Sequence, residues 1–369
     1  MLKRALSFCL VLALVLSAGC TSPKQSEVRR RQQDATLAGQ IQQLGYNLFW
    51  AADLGVPRGG DVGVVQLLGD LVIVTERPAN IITALRVEDG SIAWRQILAD
   101  RPEIIIGAVR VEGEIYINSE NAIYTLDART GRQLTYSALA QSVTAPPSLY
   151  YSTAMFGGID GLVFAHDLTP GFAKWRYQLS AMIPTSPVVY ANTVFVADRN
   201  GVVAMLDIVG GELLWKRQPT DGLAGAPVVT PTGVLVPTID NKLYFLNRAT
   251  GKDAWPLPFR DAAGLPAGPV ALGSVAYQPV GNYDAWVALS LVTGEVAWRL
   301  EQPGIRNVMR VGDNLLMPAD DRIFVVDPQT GKLLKDVPLL PLDTVLPGPD
   351  NSLILVTPQG RLLRINPLP

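Results

Sequence analysis

The chain has one histidine, His166, and it stands beside Asp167 in FAHDL. An imidazole next to a carboxylate is the pairing a general base uses, or the start of a metal site. Both chemistries ask for more convergent groups than one such pair supplies, so a structural or surface histidine is the better reading. The two cysteines, Cys9 and Cys20, both lie near the N-terminus. Glu120, Asp160, Asp198, Asp240, Asp320 and Asp321 fall in short polar stretches between apolar strands. Gathered around one mouth, these six acids would form a rim that attracts a basic partner surface. Turn chemistry explains them as well, because Asp and Asn are good turn formers, and it is the first reading. The sequence has no Gly-rich phosphate loop, no paired Cys or His ligand set and no nucleophile elbow. Gly157-Gly158 and Gly210-Gly211 read as turn glycines.

What must position these groups is a repeat. Residues 84–98, ALRVEDGSIAWRQIL, read as strand, tight turn, strand, with Ile92, Trp94 and Gln96 expected on one face of the returning strand. Gly90 supplies the positive φ that the turn needs. One hairpin is barely stable in water, but this one recurs. Gly90, Gly131, Gly171, Gly211, Gly251, Gly294 and Gly331 follow one another at 41, 40, 40, 40, 43 and 37 residues. Four residues after the glycine stand Trp94, Trp175, Trp215, Trp255 and Trp298, with Thr135 and Lys335 in the other two copies. Four residues before it stand Asp127, Asp167, Asp207, Asn247 and Asp327, with Arg86 and Ser290 as exceptions. A period near 40 residues with several short strands per copy is the pattern of a β-propeller. One indole per repeat at a fixed position argues for docking of blade on blade. The recurring Asp argues for hydrogen bonding at the sheet end. Trp286, in YDAWVAL, is off that register; a ligand could use it, but a core place in its own blade is the plainer reading.

The ends complete the count. Residues 360–369, GRLLRINPLP, hold the first half of an eighth copy, with Asn366 in the Asp position. Residues 46–55, YNLFWAADLG, hold the second half, with Trp50 in the tryptophan position. The expected architecture is all-β: an eight-bladed propeller over residues 46–369, in which one blade takes its outer strand from the N-terminal end. That closure leaves no open edge. The six acids lie in the hairpin turns, and prolines 147, 187, 227 and 269 recur where innermost strands should start. Residues 256–269 and 338–349 read as longer Pro- and Gly-rich linkers on the same face as those turns, because strand direction alternates.

The motif small-x-Asp-x-x-Thr-Gly-x-x-x-Trp, closest in LDARTGRQL, LNRATGKDAW and LSLVTGEVAW, resembles the pyrroloquinoline-quinone (PQQ) repeat. The resemblance implies the fold over residues 46–369 and two functional classes. One is the PQQ-dependent alcohol dehydrogenases. The other is non-catalytic propellers such as the lipoprotein of the outer-membrane β-barrel assembly (BAM) complex. The dehydrogenases are much longer chains. Resemblance to them would require adjacent cysteines over the quinone and a calcium site of Glu, Asn and Asp on inserted loops. This sequence has neither the cysteine pair nor a loop of suitable length. The expectation is therefore no catalytic residue, no metal and no PQQ. The second class implies a protein-binding scaffold that docks to the periplasmic part of the assembly barrel. A small-ligand sensor would use the same ring.

The N-terminal stretch differs. Residues 1–19 carry Lys3 and Arg4 and then an apolar run from Ala5 to Leu16, too short to span a membrane comfortably, and read as a signal peptide. Residues 16–20, LSAGC, resemble a bacterial lipobox, which makes Cys20 the expected lipidation site and membrane anchor. Thr21 follows where that resemblance places Asp for inner-membrane retention, so an outer-membrane anchor facing the periplasm is implied. Residues 20–45 are polar and read as a tether running into a short helix, with Val28, Ala35, Ala38, Ile41 and Leu44 as a thin apolar stripe and Gly45 as its cap. Arg29 to Arg31 would touch anionic headgroups or form a solvated turn. With Cys9 removed and Cys20 lipidated, no thiol remains for a disulfide, and stability must come from the sheet core. Loss of Lys3 and Arg4 takes the formal charge from -2 to -4, which disfavours nucleic acid. The partners expected are envelope proteins, the β-barrel assembly machinery foremost, and the ring is expected to be monomeric.

Overall fold

The computed structural model describes residues 35–57, 59–98, 103–169, 171–219 and 222–368. These form eight four-stranded antiparallel sheets, arranged as an eight-bladed β-propeller. Seven blades are consecutive in sequence: blade 1 spans residues 61–97, blade 2 105–138, blade 3 148–178, blade 4 188–217, blade 5 228–260, blade 6 270–300 and blade 7 309–338. Their middle strands are buried on both faces, which is why they are mostly apolar without alternation, as in Leu71–Arg77 and Ala122–Asp127. Pro147, Pro187, Pro227 and Pro269 each stand one residue ahead of an innermost strand of two or three residues, where no ladder bond from a proline nitrogen is needed.

Blade 8 closes the ring as the split repeat requires. Thr344–Pro347, Leu353–Val356 and Arg361–Pro367 are its inner strands, and Tyr46–Asp53 is its outer strand. Tyr46 faces Pro367 at one end of that pair and Asp53 faces Arg361 at the other. The Leu368 N–H then donates to Gly45 O at 2.8 Å, so both ends of the ring are tied within one blade.

Three features differ from the expectations. Ile92 does not share the face of Trp94 and Gln96: Trp94 pairs with Ala84 and Gln96 with Ile82 in unbroken register, while Ile92 lies beyond a shift. The register between the third and fourth strands shifts between Ala84 and Leu85, and shifts recur at Thr125/Leu126, Ala165/His166, Met205/Leu206, Ala288/Leu289 and Val325/Val326. This bulge swings the tryptophan position out of strict alternation and toward the next blade. Residues 256–269 are not all linker. Pro256 and Pro258 interrupt the strand that Trp255 would continue, and the outer edge of blade 5 is the two-residue strand Phe259–Arg260, paired with Lys242 and Leu243. Residues 338–349 likewise include the whole innermost strand of blade 8, Thr344–Pro347.

The third difference is the helix. Residues 35–44 are helical, but the buried stripe is Leu37, Ile41 and Leu44; Ala35 is exposed and Ala38 half-buried, and Val28 lies outside the described residues. The spacing of four and three places those side chains on one face. They join a cluster with Val325 and Val337 of blade 7 and Leu355 and Leu363 of blade 8. The helix is thus part of the ring's core at the 7–8 junction.

Candidate functional site

The indoles are inter-blade rivets. Nε1 of Trp50 donates to Val87 O, Trp94 to Ala128 O, Trp175 to Ile208 O, Trp215 to Arg248 O, Trp255 to Leu291 O and Trp298 to Pro328 O, all at 2.8–3.0 Å. Each acceptor lies three residues before the turn glycine of the following blade, and the ring lies against that glycine. A Cβ on Gly211, for example, would stand 2.6 Å from Trp175 Cδ2. Trp286 is a core residue of blade 6, with Nε1 on Ile305 O at 3.2 Å. All seven indole N–H groups therefore bond to backbone carbonyls. The repeated Asp position caps the same turns: Asp127, Asn247 and Asp327 each accept from backbone N–H groups two or three residues on, and Ser290 does so through its hydroxyl.

The hairpin turns carrying the six acids share one face of the ring with the blade-to-blade linkers. Gln141, in a linker, donates to Asp160 in a turn at 2.6 Å, and Arg306, in another linker, pairs with Asp320 at 3.2 Å. Asp198 does not belong to an exposed rim. Its carboxylate is fully buried and accepts from the Ser180 N–H and hydroxyl and from the N–H groups of Ala181, Asn200 and Val202, at 2.5–3.1 Å. It ties a linker to a turn, and a five-fold acceptor role at a tight bend is what a short acidic side chain does best. Asp240 pairs with Lys242 at 2.6 Å and Asp321 with Arg322 at 2.9 Å. Burial works to raise the Asp240 carboxyl, and the hydrogen bonds from Lys242 and Thr238 outweigh it and hold it below the usual range. The Arg322 hydrogen bond lowers Asp321. Glu120 is half-buried.

The face is therefore a mosaic of acid–base pairs rather than a ring of free charge. It also exposes Ile104 in a linker and Ile159 and Ile239 in turns. Those isoleucines were not singled out from the sequence, because apolar residues beside strands read as strand ends. The opposite face exposes Tyr151, Val209 and Val292.

His166 lies in the third strand of blade 3. Burial lowers its pKa, and the neighbouring Asp167 charge opposes that shift. Asp167 itself pairs with Lys174 at 2.7 Å. Among the described residues no group of three or more His, Cys, Asp or Glu side chains is placed to hold a metal. Cys20 lies outside the described residues.

A model of the family described as outer membrane protein assembly factor BamB matches residues 40–255, 160–302 and 199–345, overlapping windows that step along the repeats. The chain belongs to the BamB family of PQQ-like propellers. Among solved structures, BamB from Moraxella catarrhalis is 20% identical with a TM-score of 0.69, covering 87% of this chain and 97% of that one. The computationally designed protein Ika8 is 14% identical with a TM-score of 0.68, covering 86% and 98%. The quinohemoprotein alcohol dehydrogenase from Comamonas testosteroni is 14% identical with a TM-score of 0.66, covering 89% and 77%. At these identities the structural likenesses are likenesses of fold. No curated protein sequence matches the chain.

Proposed function

We propose that this chain is a non-catalytic, lipid-anchored propeller on the periplasmic side of the outer membrane, acting as a protein-binding scaffold in outer-membrane protein assembly. The match of the BamB family model across most of the ring carries the reading. The turn-and-linker face supports it. Paired charges interleaved with exposed Ile104, Ile159 and Ile239 make a surface of the mixed character that protein interfaces use. The anchor rests on LSAGC and Cys20; among the described residues no helix is long and apolar enough to cross a membrane.

A quinone-dependent dehydrogenase would share the fold, but the residues do not fit one. Cys9 and Cys20 are the only cysteines and are not adjacent. Every indole is committed to a junction or to the core of a blade, so none is left to stack on a quinone.

The test is affinity isolation of the intact protein from mildly solubilised envelopes, followed by mass spectrometry. Recovery of the β-barrel assembly protein, weakened by charge reversal at Asp320 and Asp321, supports the reading. Recovery of a different envelope complex in its place removes the assembly role.

A further inference from the structure

Blade 2 has Thr135 where six blades carry a docking tryptophan, and blade 3 has departed to match. Five residues before the turn glycine, the third strand carries Leu85, Leu126, Leu206, Leu246, Leu289 or Val326, each fully buried, and Ile365 holds the same place in blade 8. In blade 3 that place is His166, half-buried. The turn glycine there, Gly171, has no atom of the described residues within 4 Å of a Cβ position, whereas Gly90, Gly131, Gly211, Gly251, Gly294 and Gly331 all lie against an indole. The missing ring and the leucine-to-histidine change fall at the same junction.

What remains is a cavity of about 160 Å³ between blades 2 and 3, walled by Phe164, Phe172, His166 and Arg176 and reaching Gly171 at one end and Gln141 at the other. A 150 Å³ apolar cavity is enough to hold a benzene ring. Gln141 Oε1 is shielded from solvent and has no hydrogen-bond partner among the described residues, an acceptor that costs free energy until a donor reaches it. The outer strand of blade 2, Gln133–Ala138, runs along the mouth as the last strand of its sheet and, among the described residues, pairs only with the strand inside it.

We propose that this junction binds an aromatic side chain of a partner polypeptide, seated where the neighbouring junctions hold their own tryptophan. The other junctions show the occupant: a chain-borne ring that lies on the turn glycine and gives its N–H to the backbone carbonyl three residues before that glycine, the place of Leu168 in blade 3. Residues 20–45 contain no aromatic side chain, so the tether cannot supply it. A segment laid beside Gln133–Ala138 can, because an extended chain pairs with a free strand edge while its side chain enters the pocket. This specifies the partner chemistry of the scaffold reading, yet it is tested on purified protein and fails or holds independently of the assembly role.

The experiment uses the soluble form of the full mature chain and a peptide, acetyl-Thr-Trp-Thr-amide, with the tryptophan fluorinated for ¹⁹F NMR. Binding is expected, and Thr135→Trp, which installs the ring in cis, should weaken it at least tenfold. An alanine peptide should not bind. Unchanged affinity in Thr135→Trp overturns the proposal. Equal binding by N-acetyltryptophanamide overturns the polypeptide half of it, leaving a small-molecule site. Should Thr135→Trp fail to fold, a diazirine-bearing tryptophan peptide decides on the wild-type protein. Cross-links within residues 137–141 or 171–176 support the site, and cross-links elsewhere or none at all refute it.

Discussion

Lys335 Nζ donates a 2.8 Å hydrogen bond to Gln43 O, in the last turn of the N-terminal helix. Lys335 occupies the tryptophan position of blade 7, so at this junction the rivet between blades is replaced by a helix and a cation at its C-terminal end. The last carbonyls of a helix have no intrahelical partner, and a positive charge there is favourable. Leu37, Ile41 and Leu44 supply the apolar contact that an indole supplies elsewhere.

The helix should therefore behave as part of the fold. Ile41→Ala should lower stability by about 2–5 kcal/mol, as for other fully buried aliphatic truncations. Lys335→Ala should cost about 0.3–1 kcal/mol, the usual scale for a cation at a helix end. Urea unfolding measures both, and a loss under 1 kcal/mol for Ile41→Ala would show the helix to be only an appendage.

Two glycines separate backbone strain from ring contact. Gly171 and Gly211 have nearly the same backbone, φ +75° and +77°, but only Gly211 faces an indole. Each alanine variant carries the same left-handed strain, about 1–2 kcal/mol. Gly211→Ala should lose about 1–3 kcal/mol more, because its methyl collides with Trp175. Equal losses in chemical denaturation would show that the 2–3 junction is as closed as the rest.

Asp198→Ala removes the acceptor of hydrogen bonds that join residues 180–181 to the turn at 200–202. Several buried donors lose their partner at once, so the loss should reach at least about 2–3 kcal/mol, more than one ordinary hydrogen bond. Asp320→Ala, whose partner Arg306 is solvent-exposed, should fall within about 1 kcal/mol of wild type. The contrast is read from paired unfolding curves.

His166 gives a pH signature of its own. Burial lowers its pKa in the folded state, so between that value and the unfolded value near 6.5 the unfolded chain binds more protons. Stability is then present above about pH 6.5 and declines as pH falls through that window. His166 is the only histidine, so a variant at this one position separates its share of the decline from that of the carboxylates. Melting temperatures from pH 8 to pH 5 should drop on the acid side in wild type and stay flatter in His166→Gln. A matching drop in the variant would assign the slope to other groups.

Cys20→Ala should shift the protein from the membrane fraction to the soluble periplasmic fraction. Retention in the membrane after that change would remove the lipid-anchor reading.

The repeat of turn glycines and tryptophans determined the blade number and the split blade that closes the ring, but not the strands Phe259–Arg260 and Thr344–Pro347, which lie in stretches that read as linkers. Each blade is a local hairpin pattern, and local patterns are written in adjacent residues. The tryptophans were legible as docking groups for the same reason: a ligand site has no cause to recur every 40 residues. What a given position meets across a junction was not legible. Asp198 reads like Asp160 in sequence, yet one is fully buried and the other exposed, because the backbone of Ser180 and Ala181 in one linker closes on Asp198, whereas Asp160 is met by the Gln141 side chain of another. The spacing of small and apolar residues does not pick out Leu37 as part of the helix's buried face, because its partners in blades 7 and 8 lie some 270–330 residues away in the chain. Thr135 was visible as a departure from the repeat, and His166 only as the lone histidine beside Asp167. Only the tertiary structure brings them to one junction, where an absent ring and an added imidazole leave a cavity, because side chains of different blades meet through curvature of the ring and not through spacing along the chain.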